Sequence, residues 1–142
     1  MMTREELVQG QIDACRDLEG PLLPILHAVQ HVLGCVDAAA ERQIAHELNL
    51  SRAEVHGVVS FYHDFTAARD PRPCVELCRA EACQARGVEA LVPAAEEAAG
   101  TRVNLKTVYC LGLCSVGPAA RVGARVHARL DSAALVKLVQ SA

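Results

Sequence analysis

Two regimes of sequence predict an α/β protein in two parts, a helical bundle over residues 1–70 and a small α/β domain over residues 71–142. Up to Phe65 the apolar residues recur at threes and fours behind capping residues, whereas from Cys74 short alternating runs take over. Between them lies Ala67-Ala68-Arg69-Asp70-Pro71-Arg72-Pro73, a polar, proline-bearing stretch that can continue neither a helix nor a central strand. With 142 residues, 51% of them hydrophobic, the chain can bury a core, and with no Trp that core must be largely aliphatic.

The bundle is predicted element by element. Thr3 and Glu6 form a capping box, in which each side chain satisfies a free backbone N–H of the first turn, for a helix from Arg4 to about Asp17. Leu22, Ile25, Leu26, Val29, Val32 and Leu33 lie on one face of a second helix, opened near Pro21 and Pro24 and closed by Gly34. Asp37 caps a third helix carrying Ile44, Ala45 and Leu48. Ser51 and Glu54 form a second capping box, and the helix behind it is expected to carry Val55, Val58, Val59, Tyr62 and Phe65, with Phe61, Tyr62 and Phe65 placed in the bundle core and a contact surface for a partner as the alternative for some of them.

The second part reads as strand, helix, strand, strand, strand, helix. Cys74–Leu77 is a short strand. Residues 81–99 are helical in composition, with Gly87 and Pro93 marking a break or kink. Val103–Tyr109 is a second strand. Ala119–Val122 and Arg125–Leu130 pair as a hairpin about Gly123-Ala124, and Asp131 or Ser132 caps a last helix bearing Leu135, Leu138 and Val139.

The chemistry sits in four cysteines. Cys78 and Cys83 have four residues between them, Cys110 and Cys114 have three, and each pair begins at the carboxyl end of a predicted strand. If the two strands are neighbours, the four sulfurs converge at one end of the sheet, where loops of α/β domains build sites. A [2Fe–2S] cluster takes four thiolates, two per iron. Gly112 and Gly117 suit its loops, because glycine admits positive φ and close approach. A structural zinc would accept the same four ligands, although two-residue spacing is its commoner signature. A redox dithiol is the weakest alternative, since the chain lacks Cys-x-x-Cys.

The words around these cysteines, Cys78-Arg79-Ala80-Glu81-Ala82-Cys83-Gln84 and Tyr109-Cys110-Leu111-Gly112-Leu113-Cys114-Ser115-Val116-Gly117-Pro118, resemble the thioredoxin-like [2Fe–2S] ferredoxin family. Leu22-Leu23-Pro24-Ile25-Leu26-His27 and Glu54-Val55-His56-Gly57-Val58-Val59-Ser60-Phe61-Tyr62 are similar to that family's helical domain. The family includes the 24-kDa-type subunit of NADH dehydrogenase and its counterpart in NAD-reducing hydrogenases. The Cys78–Gln84 word most resembles the gamma subunit of NAD-dependent, molybdenum-containing formate dehydrogenases. The resemblance implies a thioredoxin-like second domain and one [2Fe–2S] cluster on Cys78, Cys83, Cys110 and Cys114. It also implies electron transfer within a dehydrogenase complex whose FMN, NAD and molybdenum cofactor belong to partner subunits: a flavin- and NAD-binding iron–sulfur subunit and a molybdenum-containing catalytic subunit. The pattern departs from the family in the segment 99–103, which lacks an Asp-Gly turn, and in Gly123-Ala124 at the hairpin.

Other candidates have plainer readings. Cys15 and Cys35 read as small buried side chains, and Cys74 lies back along its strand from the site. The histidines form no ligand pattern: His27 with His31 and His56 with His63 share helix faces without a third partner. Residues 44–65 have the outline of a helix-turn-helix, but Arg52 is the one cation there and the net charge is −3, so nucleic acid is not an expected partner. Arg79, Arg121, Arg125 and Arg129 read as solvated charge, with an acidic partner face as the alternative. No catalytic or phosphate-binding motif is present. The acidic start argues against a secretory signal, and Gly20–Val36 is too short and too interrupted to span a membrane, so a cytoplasmic protein is expected.

Overall fold

A computed structural model describes residues 1–142, which divide into two compact units, Met1–Asp70 and Pro71–Ala142.

The first unit holds four helices: α1 (Arg4–Cys15), α2 (Leu22–Leu33), α3 (Ala38–Glu47) and α4 (Arg52–Phe61). Both capping boxes form, and Asp37 caps α3 by accepting from the Ala40 N–H. Gly34 closes α2 in the left-handed region at φ 75°, where a side chain would be strained. Ile12, Ile25, Leu26, Val29, Ile44 and Val55 are fully buried among the helices. Polar ties set their order: Arg4 to Asp37 at 2.7 Å and Arg16 to Glu47 at 2.9 Å join α1 to α3, and Glu41, buried on α3, meets His56 of α4 at 3.1 Å.

The Ser51 backbone N–H and hydroxyl hold the Glu54 carboxyl below the usual carboxylate range. A depressed folded value means stability that is complete above the unfolded value, about 4.3, and is lost as pH falls through the folded one. Glu54→Gln should therefore lower the denaturant midpoint at neutral pH and flatten its decline on acidification.

The aromatic segment corrects the sequence reading. Helix α4 stops at Phe61, and Tyr62 leaves it in extended conformation. Phe65 alone of the three is buried, packing its ring 4.9 Å from that of His27, while Phe61 is 75% and Tyr62 40% exposed. Helical periodicity carried past the true end of the helix places all three on the core side, and the chain turns before it can do so.

The second unit is a four-stranded sheet in the order β2-β1-β3-β4, formed by β1 (Cys74–Cys78), β2 (Asn104–Val108), β3 (Ala120–Val122) and β4 (Arg125–His127). Strands β1 and β2 are parallel; the other pairs are antiparallel. The parallel pair requires a crossover, supplied by α5 (Glu81–Ala85), a 3-10 turn (Val88–Leu91) and α6 (Val92–Ala99). Gly87, at φ 87°, makes the expected break. Pro93 stands just past the second boundary, where the 3-10 turn gives way to α6, in that helix's first turn, where no backbone N–H is needed. Val75 and Leu77 point into a core completed by Val88, Ala95 and, from α7 (Ser132–Ser141), Leu135 and Val139. The hairpin strands are shorter than expected, because β4 ends at His127.

The guanidinium of Arg102 donates to the carbonyl oxygens of Val139, Gln140 and Ala142 at 3.0–3.2 Å, satisfying the free end of α7. Arg102→Ala should cost about 1 kcal/mol, measured by chemical unfolding, and increase amide exchange over residues 139–142. No helix is long and apolar enough to cross a membrane.

Candidate iron–sulfur site

The register of β1 and β2 pairs Cys78 with Val108, so Cys78 and Cys110 leave adjacent parallel strands at the same end. Cys83 is carried back to that end on α5, and Cys114 opens a 3-10 turn, Cys114–Val116, that the sequence did not signal. Cys78 and Cys83 are buried, at 3% and 2% exposure, whereas Cys110 and Cys114 are exposed. The exposed pair is already close, its two Sγ atoms 3.5 Å apart. Two sulfurs on one tetrahedral metal, each about 2.3 Å from it, stand roughly 3.8 Å apart. The sulfurs come together as pairs: no three Cys, His, Asp or Glu side chains surround a single point.

Local backbone geometry favours negative sulfur. Burial opposes a charged Cys78, but backbone N–H groups of Ala80, Cys110 and Leu111, with the Cys83 thiol, outweigh it and hold Cys78 below the ordinary thiol range. Burial, then its contact with Cys78, pushes the Cys83 thiol up, although the Ala119 N–H pulls the other way. The contact with Cys110 pushes Cys114 up. The N–H of Gly112 points at Cys110 Sγ from 3.4 Å.

The two glycines act differently. Gly112 takes φ 77°, and Cys110 itself adopts φ 91°, a conformation that costs a non-glycine residue about 1–3 kcal/mol. Gly117 has an ordinary φ of −66° but is needed for space, since a Cβ there would lie 2.9 Å from Cys83 Sγ. The strained Cys110 backbone is a site feature that residue spacing does not reveal.

Cys74 pairs with Asn104 at the far end of β1, away from the four sulfurs. Cys35 is buried and Cys15 half-buried against the bundle core; Cys35 is also 3.5 Å from the Arg4 guanidinium, a polar contact the apolar reading did not foresee. Arg79 pairs with Glu89 at 2.6 Å and Arg121 with Glu76, so neither is simply solvated.

A family model described as thioredoxin-like [2Fe-2S] ferredoxin matches residues 8–142. The chain belongs to the thioredoxin-like [2Fe–2S] ferredoxin family. This ferredoxin-like chain is 28% identical over 143 residues to the NADP-reducing hydrogenase subunit HndA of Solidesulfovibrio fructosivorans, covering 94% of this chain and 83% of that one. It is 29% identical over 149 residues to a subunit of the NADH-quinone oxidoreductase of Rhizobium meliloti (strain 1021), covering 99% and 89%. Its fold is similar to a chain of the NAD+-reducing [NiFe]-hydrogenase in the air-oxidised state, with TM-score 0.66 and 25% identity. That match covers 82% of the present chain but 22% of the hydrogenase chain, so the ferredoxin spans about a fifth of that polypeptide.

The family cofactor is one [2Fe–2S] cluster. Four thiols in two pairs, N–H groups aimed at sulfur, and a glycine where any side chain would collide with Cys83 fit that group.

Proposed function

We infer that Cys78, Cys83, Cys110 and Cys114 hold the [2Fe–2S] cluster and that the chain serves as a one-electron relay subunit of an NAD-linked dehydrogenase complex. The observation that carries this reading is the delivery of both cysteine pairs to one end of the parallel strands β1 and β2 in a chain of this family. When bound, the cluster supplies reversible one-electron storage. The residues around it fix the sulfurs, supply N–H groups that offset added negative charge, and bury one cysteine pair while leaving the other at the surface. A one-electron centre does not exchange a hydride by itself, so FMN and NAD belong to a companion iron–sulfur subunit.

The parent complex is a formate dehydrogenase with a molybdenum-containing catalytic subunit, a reading supported by the word Cys78-Arg79-Ala80-Glu81-Ala82-Cys83-Gln84. The names of the relatives favour a second reading, a hydrogenase or NADH–quinone oxidoreductase complex. The complex should be purified through a tag on this chain and its metals and flavin quantified. Molybdenum with formate-dependent NAD+ reduction supports the first reading, and nickel or quinone reductase activity replaces it with the second. Stoichiometric zinc without iron would refute the relay altogether.

A further inference from the structure

The bundle carries an apolar groove that electron transfer leaves unused. The start of α2, the α3–α4 turn and α4 enclose about 490 Å³ lined by Leu22, Leu23, Leu48, Leu50, Val58 and Tyr62, with no charged side chain among its lining residues. The five aliphatic residues of this set are half-buried against the bundle core and form a firm floor. At its end Phe61 stands 75% exposed, its ring packed edge-on against Tyr62 at 5.0 Å. Two adjacent exposed aromatic rings beside an apolar cleft are the composition of an interface anchor, not of a free surface.

Charge narrows what fits. Residues 1–70 contain five Lys and Arg against eleven Asp and Glu, a net −6, while residues 71–142 contain nine against six, a net +3; the overall −3 hides this asymmetry. The stretches that supply the lining, 18–23 and 48–64, carry Glu19, Glu54 and Asp64 against a single cation, Arg52, which lines a different depression with Ala53 and His56. An apolar floor with an acidic border complements an amphipathic helix that presents aliphatic or aromatic anchors flanked by Lys and Arg.

We propose that this groove of the helical bundle docks a cationic amphipathic helix of the flavin- and NAD-binding companion subunit. The inference rests on the assembly reading above and adds the surface and its chemistry. The test is the FMN retained per [2Fe–2S] cluster when the complex is purified through a tag on this chain, with Val58→Glu, Phe61→Ser and the pair Glu19→Lys/Asp64→Lys compared with wild type. Phe61 and the rim acids are exposed, so those variants should keep the wild-type melting temperature and cluster EPR spectrum. FMN retention should fall roughly tenfold for Phe61→Ser, the loss expected of an aromatic anchor worth about 1.4 kcal/mol, and the charge-reversed pair should lose it as salt rises. Wild-type FMN retention in Phe61→Ser and in Val58→Glu would overturn the proposal while leaving the relay intact. A wild-type homodimer in sedimentation that Phe61→Ser dissociates assigns the groove to a second copy and also overturns it. A cluster-bearing wild-type protein that retains no FMN instead removes the assembly reading, and the inference with it.

Discussion

Serine at Cys78, Cys83, Cys110 or Cys114 should each remove most of the [2Fe–2S] absorption and the reduced-state EPR signal, whereas Cys74→Ser should leave both unchanged. Loss of a group that merely supports a metal ligand already costs about 10–100-fold in affinity, so loss of a ligand should cost at least that. The contrast with Cys74 is set by strand geometry. Cys74 and Cys78 stand at opposite ends of β1, four residues or roughly 13 Å apart at about 3.3 Å per residue. A metal–sulfur bond of about 2.3 Å cannot cover that separation. Iron content with visible and low-temperature EPR spectra checks the series. Cluster loss in Cys74→Ser together with retention in Cys78→Ser would move the site along β1 and refute the assignment.

Gly117→Ala should be nearly as damaging, although no ligand is touched. Its Cβ would stand 2.9 Å from Cys83 Sγ and 3.4 Å from Arg86 Cδ. The arginine carbon lies on a flexible, exposed side chain and can give way; the sulfur, buried and committed to the site, cannot do so without leaving its place. Cluster yield should fall sharply, with a loss of stability of about 1–3 kcal/mol for an overpacked buried position, measured by iron per chain and by chemical unfolding. Gly112→Ala provides the contrast. It meets open space, and only its φ of 77° is unfavourable, so the cost should be about 1 kcal/mol with the cluster kept. Equal cluster loss in both variants would show that loop conformation rather than clearance at Cys83 governs assembly.

Much of the scaffold is legible because its signals are local. The capping boxes at Thr3/Glu6 and Ser51/Glu54, the Asp37 and Asp131 caps and the Gly34 stop are satisfied within a turn, and each acts in the structure as its residue type predicts. The strands end at Cys78 and Val108, each within one residue of the expected Leu77 and Tyr109, because short apolar runs are closed there by loop residues. Phe61 and Tyr62 escape that reading because the end of α4 depends on how the following chain packs Phe65 against His27. Pro93 marks a boundary as read, but by opening α6 rather than by kinking a helix interior, and sequence alone does not show which turn a proline occupies.

The sequence by itself determined the family, the spacing of the four candidate thiols and the periodicity that builds the helices, since these depend on residue identity and on spacings within one turn or loop. Tertiary structure decided what those residues meet. Parallel pairing of β1 with β2 sets Cys78 beside the Cys110 loop, and long-range packing buries Cys78 and Cys83 while exposing Cys110 and Cys114. Gly117 acquires its importance from the proximity of Cys83, and the groove beside Tyr62 exists because α2, the α3–α4 turn and α4 meet around it. Such contacts join residues dozens of positions apart, and their free energy depends on the relative placement of whole elements, which no local word encodes.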